Sequence, residues 1–187
     1  MDDGTPVTQD VLMHAFTDLI DQSTTFTLNA LKEVNEKIID ALQTSGATSL
    51  VKGLQMVQLQ KAILAVGMFS MFEAILQDGL TGKDGFVAAN AILDSEGEVD
   101  LKERFNNLCL AINVLKHGRG RSYDTLVSKA TALPFRIKLP DEPFFFEGDV
   151  SEVSTLVEVD DTFVIGCADV IRDVTEVIRR VRPDFFS

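Results

Sequence analysis

The chain has 187 residues, 45% of them hydrophobic, with 17 basic against 29 acidic side chains and a mean hydropathy of +0.13. That is enough for one domain with a real core, and it excludes wholesale disorder. A net charge of -12 repels polyanions at long range, which disfavours non-specific nucleic-acid binding. Two histidines and two cysteines without metal spacing give no support for zinc, so neither a metal nor a cofactor is expected.

The opening "MDDGTPVTQD" is acidic and lacks an apolar core, so no signal peptide is read and a cytoplasmic location is expected. Thr8 precedes a helical pattern of Val11, Leu12, Phe16, Leu19 and Ile20, which resumes at Leu31, Val34, Ile38 and Leu42. The Thr-rich "DQSTTFT" between the two runs is a candidate kink or break, and Gly46 closes this N-terminal arm over 1–46. Core helices are expected over 49–117. The first, from about Ser49 to Asp78, is apolar almost all round at its centre, which predicts the buried helix of a bundle. Its most apolar stretch, "AILAVGMFSMFEAIL", is too short for the ~20 residues of a bilayer span, so no membrane association is expected.

"FVAANAIL" reads as a short helix and "DSEGEVD" as a loop. Asp100 then caps "LKERFNNLCLAINVLKH", which Gly118 terminates. Residues 118–159 form a loop, a short helix capped by Ser122, and an irregular excursion. Within it "FRIKL" and "TLVEV" alternate with period two, the mark of a two-stranded hairpin. The Phe-rich 141–153 segment either caps the bundle or offers an apolar surface. A last helix over 160–182 carries Val164, Cys167, Ile171, Val174 and Ile178. Cys109 and Cys167 read as small buried hydrophobes. The fold class is mainly α: a helical bundle with a short irregular or β-hairpin excursion before its C-terminal helix.

Projected at about 100° per residue, Leu101, Phe105, Leu108, Ile112 and Leu115 form one apolar stripe. Asn106, Asn113 and His117 form a second stripe on nearly the opposite side, with Leu110 in its middle. Such a stripe is either an exposed polar face or a surface covered by a second copy or a ligand, and Leu110 and Asn106 would then be interface residues. At a helix C-terminus His117 is also accounted for by the dipole alone. Lys116, Arg119, Arg121 and Ser122, with two free-moving glycines between, suit either a solvated turn or a phosphate. Glu73, in an apolar context, needs water or a partner; Lys116, His117 and Arg121 are the candidates, in a structural pair or with Glu73 orienting His117.

The acid-bearing "MFSMFEAIL", the later "AINVLKHG" and a terminal helix together resemble the HEPN superfamily of small α-helical proteins, over roughly residues 49–182. The resemblance implies a homodimer joined through the helix of Asn113 and His117. In catalytic members an arginine precedes a polar residue and a histidine; here Asn113 and His117 match those two positions, and Ile112 stands where the arginine would be. The expected function is therefore a non-catalytic binding module for a nucleotide, RNA or a cognate protein, of the kind found in prokaryotic defence or toxin–antitoxin settings. The alternative is a metal-independent endoribonuclease with His117 as acid or base, Asn113 as orienter and Arg119 or Arg121 steadying the phosphorane. A third reading is an unrelated helical scaffold.

Overall fold

The computed structural model describes residues 9–80 and 84–183, the side chains of residues 9–15 excepted. Among them run six α-helices: α1 (Gln9–Leu42), α2 (Thr48–Gly79), α3 (Gly85–Ser95), α4 (Val99–His117), α5 (Arg121–Ser128) and α6 (Asp161–Val181). Of the residues read as the start of the first helix, Thr8 lies outside what is described, while Val11 and Leu12 fall within α1 with their side chains not described. The expected bundle is present.

α1 runs unbroken through "DQSTTFT". Threonine lowers helix propensity by a few tenths of a kcal/mol, too little to break a helix that packs on neighbours. Here Thr24 is buried, and its hydroxyl donates to Met68 Sδ at 3.3 Å. α1 and α2 form an antiparallel hairpin of about 50 Å arms. Its register is fixed at a second point by Gly53, where an added Cβ would lie 2.8 Å from Ile38 Cδ1. No side chain of α1 beyond Leu28, and none of α2 before Val57, is buried. The tip of the hairpin therefore extends past the core.

The core lies where α2, α3, α4 and α6 meet. Phe69, Phe72, Phe86 and Phe105 form an aromatic cluster, with Phe86 and Phe105 edge to face at 5.4 Å. α6 buries Val164, Cys167, Val170, Ile171, Val174 and Ile178 and packs on α1, α2, α3 and α4. Its start is set by Asp160, whose carboxylate accepts the Phe163 N–H at 2.7 Å.

Four local expectations are corrected. α2 is buried on one face only: Met56, Leu59, Ile63 and Met71 are exposed on the other. Helix α2 is also longer than its most apolar stretch, and by length and composition it suffices to cross a membrane, with 33% of its most apolar window buried inside the subunit. Asp100 stands in the first turn of α4, with Glu98 at the cap position. Ser122 lies inside α5, which begins at Arg121 behind Gly120.

In the excursion, "FRIKL" and "TLVEV" do meet, in one antiparallel bridge between Ile137 and Val157. The Lys138 N–H donates to the Leu156 carbonyl at 2.9 Å and the Glu158 N–H to the Arg136 carbonyl at 3.0 Å. No strand longer than this bridge forms among the described residues. Of the Phe run only Phe145 is buried among the described residues. Phe145 is buried beneath the Lys138 ammonium, 4.6 Å from its ring centroid, while Phe146 is exposed.

Candidate functional site

The polar stripe of α4 faces a cleft between α2, α3 and α4 with a volume of about 360 Å³, within the size range of small-ligand sites. Asn106, Asn113 and Lys116 contribute from α4, Ser70 and Glu73 from α2, and Asp84 and Asn90 from α3. Phe69, Phe86, Val87 and Ile112 supply the apolar wall, and Cys109 lies among them. Asn106 and Asn113 of the stripe are thus brought together with Glu73 by the packing of α2 on α4.

Local structure explains how each group is held. Asp84 caps α3, accepting the Val87 N–H at 3.0 Å, and lines the cleft beside Glu73. Gly85 follows because α3 begins almost in contact with α2: a Cβ there would lie 2.8 Å from the Glu73 carbonyl oxygen and 2.8 Å from the Gln77 nitrogen. One turn on, Asn90 donates its amide to the Phe86 carbonyl at 3.0 Å. Its own Oδ1 is buried with no hydrogen-bond partner among the described residues, an uncommon and costly condition.

The cleft is electronegative. Two carboxylates, Glu73 and Asp84, stand against the single ammonium of Lys116. The Cys109 thiol registers this: burial first, then the charges of Glu73 and Asp84, push its pKa up. Burial, followed by Cys109, does the same to Cys167. Glu73 is half-buried and makes no ion pair with a described residue, so, of the two alternatives that its apolar context leaves open, water or a partner, an ion pair with Lys116, His117 or Arg121 is not the one formed.

The remaining predicted residues are distributed elsewhere. His117 ends α4, exposed, and is not part of the cleft wall. Gly118 then takes φ +73°, the left-handed turn that stops the helix. The Arg119 guanidinium stacks 5.6 Å over the Tyr123 ring and lines a different groove, beside Lys138 and Glu142. Arg121 is exposed at the start of α5. Lys116 and Arg119 therefore line two different clefts. Leu110 is half-buried against its own core, and Asn106 is half-buried in the cleft wall. Ile112, at the arginine position of catalytic HEPN proteins, is 3% exposed and packed in the core. Arg104 reaches away to Asp173 of α6 at 3.3 Å.

Asp84, Asn90 and Ser70 were not legible as site residues. A capping signal, Asp-Gly before "FVAAN", and a lone asparagine on an apolar helix were visible, but their direction depends on how α3 lies on α2. No group of three or more histidine, cysteine or acidic side chains suited to a metal occurs among the described residues. Comparison of the chain with protein-family models, with curated proteins and with solved structures gives no match.

Proposed function

We propose that this protein is a non-catalytic, HEPN-like binding module whose α2–α3–α4 cleft receives a cationic or donor-rich group from a cognate protein, an arginine or lysine side chain being the fitting chemistry. The observation that carries the reading is the unpaired Asn90 Oδ1 in the same cleft as Glu73 and Asp84. Asn90 Oδ1, the Glu73 carboxylate and the Asp84 oxygen not used by Val87 are acceptors that a guanidinium or ammonium would complete, and hydrogen bonds from such a cation to carboxylates are about twice as strong as neutral ones. Phosphate would meet two carboxylates there, so a nucleotide or RNA end fits less well. The ribonuclease alternative lacks support at Ile112, which is committed to the core, and His117 does not share the cleft with Glu73.

Titration of the protein with short Arg-, Lys- and Glu-containing peptides and with nucleoside monophosphates, followed by NMR of the Asn90, Asn106 and Asn113 side-chain amides, tests this. Shifts with the basic peptides, lost in Glu73→Gln, are expected. Shifts with the nucleotides and none with the basic peptides would overturn the reading, as would RNA cleavage that disappears in His117→Ala.

A further inference from the structure

The outward face of α2 is the largest feature of the molecule that the cleft leaves unexplained. Between Gly53 and Gln77 this helix has only two charged residues, Lys61 and Glu73. Lys61 is turned inward to Asp161 of α6 at 2.8 Å, and Glu73 faces the cleft. What remains outward, at helical spacing, is Met56, Leu59, Gln60, Ile63, Gly67, Ser70, Met71 and Ala74, a run of about 27 Å. Met56 is 63% exposed, Ile63 54% and Met71 53%. The register set by Thr24–Met68 and Ile38–Gly53 brings Leu19 level with Met71 and Phe26, 75% exposed, level with Gly67. In helical projection both lie on the flank of α1 that adjoins this face.

We infer that this face binds a second copy of the same chain, with the two α2 helices antiparallel about a two-fold axis midway between Ile63 and Gly67. The sequence is self-complementary about that point. Ile63 meets Gly67 of the second copy, Met56 meets Ala74, Leu59 meets Met71 and Gln60 meets Ser70, so that bulky groups face smaller ones along most of the contact. At the ends, Lys52 meets Asp78 of the second copy. Both are exposed, and neither forms an ion pair with a described residue. A chain with net charge -12 repels its own copy over most of its surface, and this uncharged face, ended by one cation and one anion, is where that repulsion is least.

The area is adequate. Leu19, Phe26, Met56, Leu59, Ile63 and Met71, each roughly half exposed or more, leave on the order of 600 Å² uncovered, and the small residues between them bring the face near the ~800 Å² per partner of a standard interface. Gly67 matters most: no atom lies within 4 Å of a Cβ built there, so its lack of a side chain serves no contact within the subunit and leaves a notch for Ile63 of the partner. This surface borders the cleft at Ser70, which belongs to both, and its other residues lie outside the cleft wall.

Sedimentation velocity of the full chain across the micromolar range reads the outcome, with circular dichroism and melting temperature as the check on folding. Wild type is expected as a dimer. Ile63→Glu and Gly67→Leu are each expected to weaken it at least tenfold with the fold intact, while Val99→Glu, on exposed α4 surface, leaves it dimeric. Lys52→Glu and Asp78→Lys each weaken association, and the double reversal restores it. A wild type that stays monomeric, a dimer indifferent to Ile63→Glu, or a double reversal that restores nothing overturns the proposal. So does co-sedimentation with phosphatidylcholine vesicles that Ile63→Glu abolishes, because a lipid surface would then be the occupant.

Discussion

Lys138 and Glu152 face each other across the excursion at 3.6 Å, each side chain only about a tenth exposed. Glu152 also accepts the backbone N–H groups of Phe145 and Phe146, both at 2.7 Å, and the Lys138 ammonium donates to the Pro143 carbonyl at 3.2 Å. This pair, rather than a β-hairpin, gives residues 136–159 their shape. Glu152→Ala strands a near-buried cation and two amides and is expected to cost about 3 kcal/mol. Glu152→Gln, which keeps an acceptor, should cost less. Urea denaturation of both variants measures the difference, and equal losses would show that the charge is irrelevant.

Gly85 and Gly166 should respond to alanine in opposite directions. A Cβ at Gly85 meets backbone atoms of α2 as well as Leu76 Cβ, at 2.7–2.8 Å, and the two helices must separate. The expected loss is about 1–3 kcal/mol. Gly166, inside α6, has no atom within 4 Å of its added Cβ, so Gly166→Ala should gain about 0.5–1 kcal/mol by restricting the unfolded chain. Thermal melts of the two variants check the sign of each.

Both thiols are held protonated by burial, and Cys109 further by Glu73 and Asp84. Native protein at mildly alkaline pH should therefore react slowly with Ellman's reagent, and denatured protein fast. Glu73→Gln should speed Cys109 by a few fold. A thiol pKa raised in the folded state means that the native protein retains protons the unfolded chain has lost. The associated stability is complete below the ordinary value of 9.0 and declines as pH rises beyond it. Urea midpoints measured across alkaline pH should fall less steeply for Cys109→Ala than for wild type.

On the acid side, Glu142 behaves oppositely. The Leu139 N–H and then the Arg136 guanidinium, both at 2.9 Å, hold its carboxyl below the ordinary 4.5. Its contribution is present above that value and is lost as pH falls through the lowered one. The carboxylate is partly exposed, so its effect is small and best read by NMR of the Leu139 amide. In Glu142→Gln that resonance should lose its acid titration.

Much of the architecture was legible because it depends on local periodicity. The apolar positions of α6 and the Leu101–Phe105–Leu108–Ile112 stripe of α4 are the ones buried, since a helix at 3.6 residues per turn fixes which side chains share a face. Gly118 as the stop of α4 followed from its freedom at positive φ. The unbroken course of α1 through its threonines was not legible, because packing of Thr24 against Met68 outweighs a weak propensity. Nor was the single bridge at Ile137–Val157, where alternation over five residues predicts pairing but not how many rungs survive.

What the sequence alone determined, then, is that the chain is a succession of helices, which side of most of them is apolar, and that Asn106 and Asn113 share a ridge. Tertiary structure decided what those ridges meet. It set Asp84 and Asn90 against Glu73 by seating Gly85 on α2, separated Arg119 from Lys116, and left one whole side of an almost uniformly apolar α2 uncovered. The reason is physical: periodicity constrains one helix at a time, whereas a cleft or an open face depends on the angles and offsets between helices, which are set by side chains distant in the chain.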